Sequence, residues 1–190
     1  MEIYLIRHTT PKIEKGICYG QTDTPLENAF PDEAKKVLEH LPESFDKIYS
    51  SPLSRCYKLA QLIMPAQSIV IDNRLLEMNF GDWEMKKWDE INQEELHQWT
   101  QNFVNLPVPK GESFIQLNKR VNLFMDELAK PNFKNIAIVT HAGVIRSFVI
   151  SVLGMPLGNA FRISIDYGSI TKINIGSDGS YNKVDFINKL

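Results

Sequence analysis

Glu2-Ile3-Tyr4-Leu5-Ile6-Arg7-His8-Thr9-Thr10-Pro11 is the stretch from which the rest of the chain is read. The apolar run Ile3–Ile6 stops abruptly at a charged pair, and Pro11 blocks its continuation, so it reads as a buried strand followed by a loop. Similar runs recur at Lys47–Ser50, stopped by Ser51-Pro52, at Ser68–Ile71, and at Ile136–Val139, which ends in Thr140-His141-Ala142-Gly143. Segments with helical spacing lie between them. Asp32–Leu41 puts Ala34, Val37, Leu38 and Leu41 on one face. Leu53–Ile63 is helical, with Pro52 suited to its first turn. Glu112–Leu128 reads as a further helix, and Val144–Leu153 as an apolar one that ends before Gly154 and Pro156. Short strands alternating with helices predict an α/β fold, a three-layer αβα sandwich on a mostly parallel sheet.

Two segments depart from that rhythm. Ser169–Ile175 and Tyr181–Ile187 alternate and are separated by Gly176-Ser177-Asp178-Gly179, a hairpin signal that predicts an antiparallel strand at the sheet edge. Trp83–Leu106 is polar, rich in Glu and Gln, and holds Trp83, Trp88 and Trp99. It is expected to be a helical cap insertion, about 83–106, lying over the active site and closed by Pro107, Pro109 and Gly111. Its tryptophans read as core of the insertion, with room for one at a pocket mouth. Without repeats, low-complexity tracts or a linker, residues 1–190 are expected to form one domain.

Bulk properties narrow the function. Hydrophobic residues make up 43% of the chain, enough for a core without staples, and the net charge of −2 argues against a nucleic-acid partner, which needs a broad basic surface. Cys18 and Cys56 are not a close pair, so neither a disulfide framework nor a zinc cluster is expected. Met1–Arg7 lacks a basic leader region, and no apolar stretch approaches the roughly 20 residues that span a bilayer. The expectation is a cytoplasmic protein with no membrane partner.

In open α/β sheets, ligands bind beyond the carboxyl ends of the strands. Strand one delivers Arg7 and His8 there. Strand two delivers Ser50 and Ser51, with Arg55 just inside the next helix. The segment after strand three delivers Glu77, and strand four delivers His141, with Gly143 allowing close backbone approach. Alone, each has an ordinary explanation: a capped surface histidine, a solvated arginine, a loop-capping glutamate. Together they fit phosphoryl transfer. A neutral imidazole near pH 7 can carry a phosphoryl group, and arginine forks match phosphate oxygens. A carboxyl beside an anionic substrate has its pKa raised by like charge, so Glu77 is suited to be the general acid. His40 and His97 fall outside this set and read as structural or solvated. Other chemistries fail on spacing. A cysteine phosphatase loop needs Arg six positions after Cys, where Cys18 has Thr24 and Cys56 has Leu62. No Gly-x-x-x-x-Gly-Lys, Gly-x-Gly-x-x-Gly or His-Glu-x-x-His motif is present.

At this point the motifs resemble a known family. Leu5-Ile6-Arg7-His8-Thr9, Ser50-Ser51-Pro52-Leu53-Ser54-Arg55, Leu75–Glu84, Gly111-Glu112-Ser113 and Val139–Arg146 are similar, in order, to the signatures of the histidine phosphatase, or phosphoglycerate mutase-like, superfamily. Within it, Gly16-Ile17-Cys18-Tyr19-Gly20-Gln21-Thr22-Asp23 and Glu77–Glu84 are most similar to alpha-ribazole phosphatases of cobalamin biosynthesis. The resemblance implies a phosphomonoesterase acting on small-molecule phosphate esters in two steps. His8 attacks phosphorus and becomes phosphohistidine while Glu77 protonates the leaving oxygen; water activated by Glu77 then releases phosphate. Arg7, Arg55, His141, Gln21 and Thr9 are expected to contact substrate, with positive charge from the two arginines and from His141 if it is protonated. No metal or organic cofactor is implied. The alternatives are a phosphoglycerate mutase, a broad-specificity phosphatase, or a non-catalytic phospho-ligand module, whose signature would be loss of a reactive residue.

Two departures stand out. Thr9-Thr10 replaces the usual Gly-Glu or Gly-Gln after the first histidine, and Glu14 stands near a position where relatives have a phosphate-contacting Asn. A carboxylate there would repel phosphate if it pointed inward. A phosphoglycerate pocket must also hold a carboxylate, and no motif places Arg74, Arg120, Arg146 or Arg162 beside the phosphate site. The aromatic residues Phe80, Trp83, Trp88 and Trp99 instead suit a flat benzimidazole.

Overall fold

Alternating side-chain direction along a first strand buried on both faces sets the layers. In the computed structural model, which describes residues 1–128, 132–176 and 182–190, strand β1 (Glu2–Arg7) pairs in parallel with β4 (Asn135–Thr140). Ile3 and Leu5 of β1 point to one face with Ile136 and Ile138 of β4; Tyr4 and Ile6 point to the other with Ala137 and Val139. Both faces are apolar, as strands covered on two sides require. β2 (Lys47–Ser50) lies on the far side of β4, and the short β3 (Ile69–Ile71) borders β2, all parallel. β5 (Ile170–Asn174) adds antiparallel to β1, and β6 (Lys183–Lys189) antiparallel to β5, giving the order β3-β2-β4-β1-β5-β6. Both arms of the expected hairpin therefore join the edge; Ser177-Asp178-Gly179 and Tyr181 lie outside the described residues.

Helices cover both faces. α1 (Phe30–Glu39) and α2 (Ser54–Ile63) pack Ala34, Val37, Cys56, Leu59 and Ala60 against the Tyr4 face. α4 (Phe114–Leu128) and α5 (Ala142–Leu153) pack Phe114, Leu117, Phe124, Ile145 and Phe148 against the Ile3 face. Pro52 is not in the first turn of α2: Leu53 is its extended N-cap, so Pro52 ends the strand-to-helix loop instead. The fourth helix begins at Phe114, because Glu112 and Ser113 are engaged in loop and capping contacts.

Between Trp83 and Leu106 the chain is less helical than expected. A 3₁₀ turn (Gly81–Trp83) leads into irregular chain, and one helix, α3 (Gln93–Asn102), follows, capped by the Asn92 side chain on the N–H groups of Glu94 and Glu95. Trp83 and Trp99 are buried, 5.6 Å apart edge to face, and belong to the same apolar cluster as α4 and α5. Trp88 is half-buried against Phe80, at 5.8 Å.

Candidate active site

The carboxyl ends of parallel β1, β2 and β4 lie at one end of the sheet, and the polar residues that follow them are buried there. His8 and His141 are 1% and 0% exposed, Arg55 is 0% exposed, and the two imidazoles stand 5.1 Å apart. His8 Nδ1 is 2.7 Å from the Thr9 carbonyl. A carbonyl oxygen only accepts, so Nδ1 carries the proton and Nε2 keeps a lone pair. Burial, then the charges of Arg55 and Arg7, hold the His8 pKa well below its usual 6.5. The ring is therefore a neutral imidazole across the physiological range.

His141 is likewise neutral. Burial, then His8, Arg55 and Arg7, push its pKa well below 6.5, so the positive charge of the site comes from arginine and not from a protonated His141. Its Nε2 is 2.8 Å from Ser51 Oγ and 3.4 Å from Cys56 Sγ. Arg55 donates from Nη1 to Thr22 O (2.8 Å) and from Nη2 to Gly20 O (2.7 Å). Arg7 donates from Nη1 to Ile165 O (2.5 Å). The Nε–H of each arginine is buried without a partner. Two unmatched cationic donors beside a neutral imidazole make a site that favours an oxyanion.

Glu77 enters from the loop after β3. Its carboxylate accepts from Met78 N (2.8 Å) and from Gly143 N, 3.2 Å from both oxygens. A Cβ at Gly143 would lie 2.3 Å from Glu77 Oε1, so only glycine lets the start of α5 come this close. Arg120 donates to the Glu77 carbonyl (3.0 Å) while paired with Glu112 (2.6 Å), and Glu112 accepts from Asn79 N (2.9 Å). Glu84 performs a similar task on the loop that holds Arg55. It accepts from the N–H groups of Gln21 (2.8 Å), Thr22 (2.7 Å) and Phe80 (3.1 Å). Gly20, at φ +38°, sits so tightly under it that a Cβ would approach Glu84 Oε1 to 2.3 Å.

A cavity of about 290 Å³ adjoins this group, with Arg7 and Glu77 in its wall beside Tyr19, Tyr167, Phe80 and Trp88. Gln21 does not face it: its amide donates to the Glu77 carbonyl at 2.9 Å. Thr9 is fully buried, its Oγ1 without a partner and its carbonyl holding His8. Glu14 points away, exposed and paired with Lys87 at 2.7 Å, so it does not oppose a bound anion. Cys18 lines the cavity, but burial, then Glu84 and Glu77, push its thiol up to about 12, which leaves it an unreactive thiol. Sequence reasoning gave no place here to Arg146, yet it lines the cavity, half-buried, with Nε on Ile163 O (2.9 Å). Tyr167 was missed as well. Arg146, Glu84 and Glu112 close or belong to motifs already quoted, which was the available signal; Tyr167 carries none.

The model of the histidine phosphatase superfamily (branch 1) matches residues 3–188. The chain belongs to that superfamily. It is 35% identical to a protein of Hydrogenobacter thermophilus provisionally named as a phosphoserine phosphatase, over 99% of this chain and 95% of that one. It is 30% identical to the adenosylcobalamin/alpha-ribazole phosphatase of Salmonella typhimurium, over 92% of this chain and 91% of that one. The alpha-ribazole phosphatase of Shigella flexneri superposes with a TM-score of 0.91 at 28% identity, covering 100% of this chain and 96% of that one. Membership of this superfamily accords with phosphatase chemistry on small phosphate esters. No helix among the described residues is long and apolar enough to cross a membrane, and no group of three or more His, Cys, Asp or Glu among them is arranged to hold a metal.

Proposed function

We propose that this histidine phosphatase hydrolyses alpha-ribazole 5′-phosphate in the cytoplasm through a phosphohistidine on His8, without a metal. The observation that carries the reaction is the neutral His8, with Nε2 free, beside two guanidiniums whose Nε–H donors are unmatched. Phosphate enters between Arg7 and Arg55, and Nε2 attacks phosphorus in line. The N–P bond forms as the bond to the leaving oxygen breaks, and Glu77 gives that oxygen its proton. Water then attacks, Glu77 takes its proton, the N–P bond breaks and inorganic phosphate leaves. The arginines and a neutral His141 stabilise the equatorial oxygens. Residues 83–106 act as a cap on the leaving-group side, where Phe80 and Trp88 offer a surface for the benzimidazole.

Arg146 favours a second reading. No hydrogen bond joins its terminal nitrogens to the described residues, and it faces the cavity, as a carboxylate-bearing ester such as O-phosphoserine requires. Side-by-side kcat/KM values for alpha-ribazole 5′-phosphate, O-phosphoserine and 3-phosphoglycerate decide between the two. For the chemistry itself, acid-labile phosphate is expected on the wild-type protein during turnover, with EDTA present, and none on His8→Ala. Substantial turnover by His8→Ala sinks the mechanism.

A further inference from the structure

Tyr19 and Tyr167 come from loops far apart in the chain, yet their hydroxyls meet at 2.7 Å. Each ring lies by a different arginine: the Arg7 guanidinium carbon is 3.7 Å from the centre of the Tyr167 ring, and that of Arg55 is 5.1 Å from the centre of Tyr19. The same loops hold the arginines by their edges. Arg55 donates to Gly20 O, next to Tyr19, and Arg7 to Ile165 O, two residues before Tyr167. Gly168 N donates to His8 O at 3.1 Å, and the His8 and Tyr167 rings are 5.5 Å apart. Each phosphate-binding group is thus held edge-on by a carbonyl and face-on by a tyrosine of one loop. Among the described residues, the hydroxyl contact is the side-chain hydrogen bond that joins the two loops directly.

We infer that Tyr19 and Tyr167 act as one positioning pair, their mutual hydrogen bond fixing how far apart Arg7 and Arg55 stand and therefore how well the two unmatched Nε–H donors fit the oxygens of a phosphoryl group in transfer. This rests on the phosphatase reading above and adds to it a pair that acts through the arginines and not on the leaving group. Cation–π stacking holds each guanidinium against its ring, and the rigid phenols carry the constraint from one loop to the other. A reading in which the tyrosines only line the cavity for the leaving group makes opposite demands: removing a hydroxyl would matter for some leaving groups and not for others, and the two losses would be independent.

The test is a double-mutant cycle of Tyr19→Phe, Tyr167→Phe and the double variant, all of which keep the rings and the fold. Orthovanadate affinity and kcat/KM are measured with p-nitrophenyl phosphate and with an alkyl phosphate. Each single variant is expected to lose about three- to tenfold in vanadate affinity and in kcat/KM, equally for both esters, as for one lost hydrogen bond. The double variant is expected to be no worse than either single one, because the first substitution already breaks the bond. Additive losses, losses confined to one ester, or wild-type vanadate affinity in both single variants would each overturn the inference while leaving the phosphatase reading intact. A wild-type protein that neither binds vanadate nor hydrolyses either ester removes the reaction, and the pair's role with it.

Discussion

Glu77 has its carboxylate held by backbone and its carbonyl held by side chains. Met78 N and Gly143 N hold its oxygens, and Gln21 and Arg120 hold its carbonyl. Two substitutions separate its chemistry from its placement. Glu77→Gln keeps the shape and loses the transferable proton, so hydrolysis of an alkyl phosphate is expected to slow by about 10²–10⁴-fold, and p-nitrophenyl phosphate, whose phenolate leaves unaided, far less. Equal losses for the two substrates would count against the acid role. Gly143→Ala leaves Glu77 in the sequence but puts a methyl group where Oε1 lies, at 2.3 Å. The carboxylate must swing out, and the variant is expected to reproduce the leaving-group pattern of Glu77→Gln. If steady-state kinetics show Gly143→Ala at wild-type rates on the alkyl ester, Glu77 does not need its present position.

Among the elements, the loops do more than the strands to complete the site. Glu84 is a buckle: its two oxygens take three main-chain N–H groups from the segments carrying Arg55's carbonyl partners and the cavity wall. Charged hydrogen bonds contribute about 1.5–3 kcal/mol each. Glu84→Ala is therefore expected to cost about 2–4 kcal/mol in urea unfolding, and to lower kcat/KM for every phosphate ester because Gly20 O and Thr22 O no longer fix Arg55. A variant of normal stability and activity would show the loop to be held some other way. Such contacts mark where the sequence stopped being informative. The strands at Ile3, Lys47 and Ile136 were legible because apolar runs bounded by Pro and Ser have few other uses. The order of motifs brought Arg7, His8, Arg55, Glu77 and His141 to one sheet end, where the structure has them. The stretch from Trp83 to Leu106 has no clear period, because its core is a few aromatic rings rather than a helical face, and only Gln93–Asn102 is helical. Gln21, expected at the substrate, instead braces Glu77, and a residue's type and spacing do not tell which way its side chain turns. The Tyr19–Tyr167 contact joins loops with no local signature at all.

For the molecule as a whole, two fully buried neutral histidines have a thermodynamic consequence. Both have folded-state pKa values well below the usual 6.5, with burial as the largest cause. Below about pH 6.5 the unfolded chain binds protons at His8 and His141 that the folded chain refuses. Stability therefore falls as the pH drops, by up to about 1.4 kcal/mol per pH unit for each ring. Asp46, held low by the N–H groups of Lys134 and Asn135, and Asp185, held low by Lys183, lose their contributions only below about pH 3.8. The interval from about 6.5 to 4.5 thus isolates the histidines. Urea titrations across it are expected to show a steady loss of stability that shrinks in His141→Asn; a flat profile would mean that both rings take up their protons in the folded protein as readily as in the unfolded chain.

The strand order also fixes when the site can come into being. β4, made late, lies between β1 and β2, made early, so His8 and Arg55 have no common framework until that strand slides in between them. A chain still being synthesised, and not yet past His141, carries open edges on β1 and β2, with His8 and Arg55 still apart. Closing so long a loop is entropically slow, and folding of this kind of topology is correspondingly late and cooperative. A half-finished copy therefore holds no partial version of the proposed site: β4 brings its two sides together, and Ile165, Tyr167 and Gly168, made later still, complete the hold on Arg7 and His8.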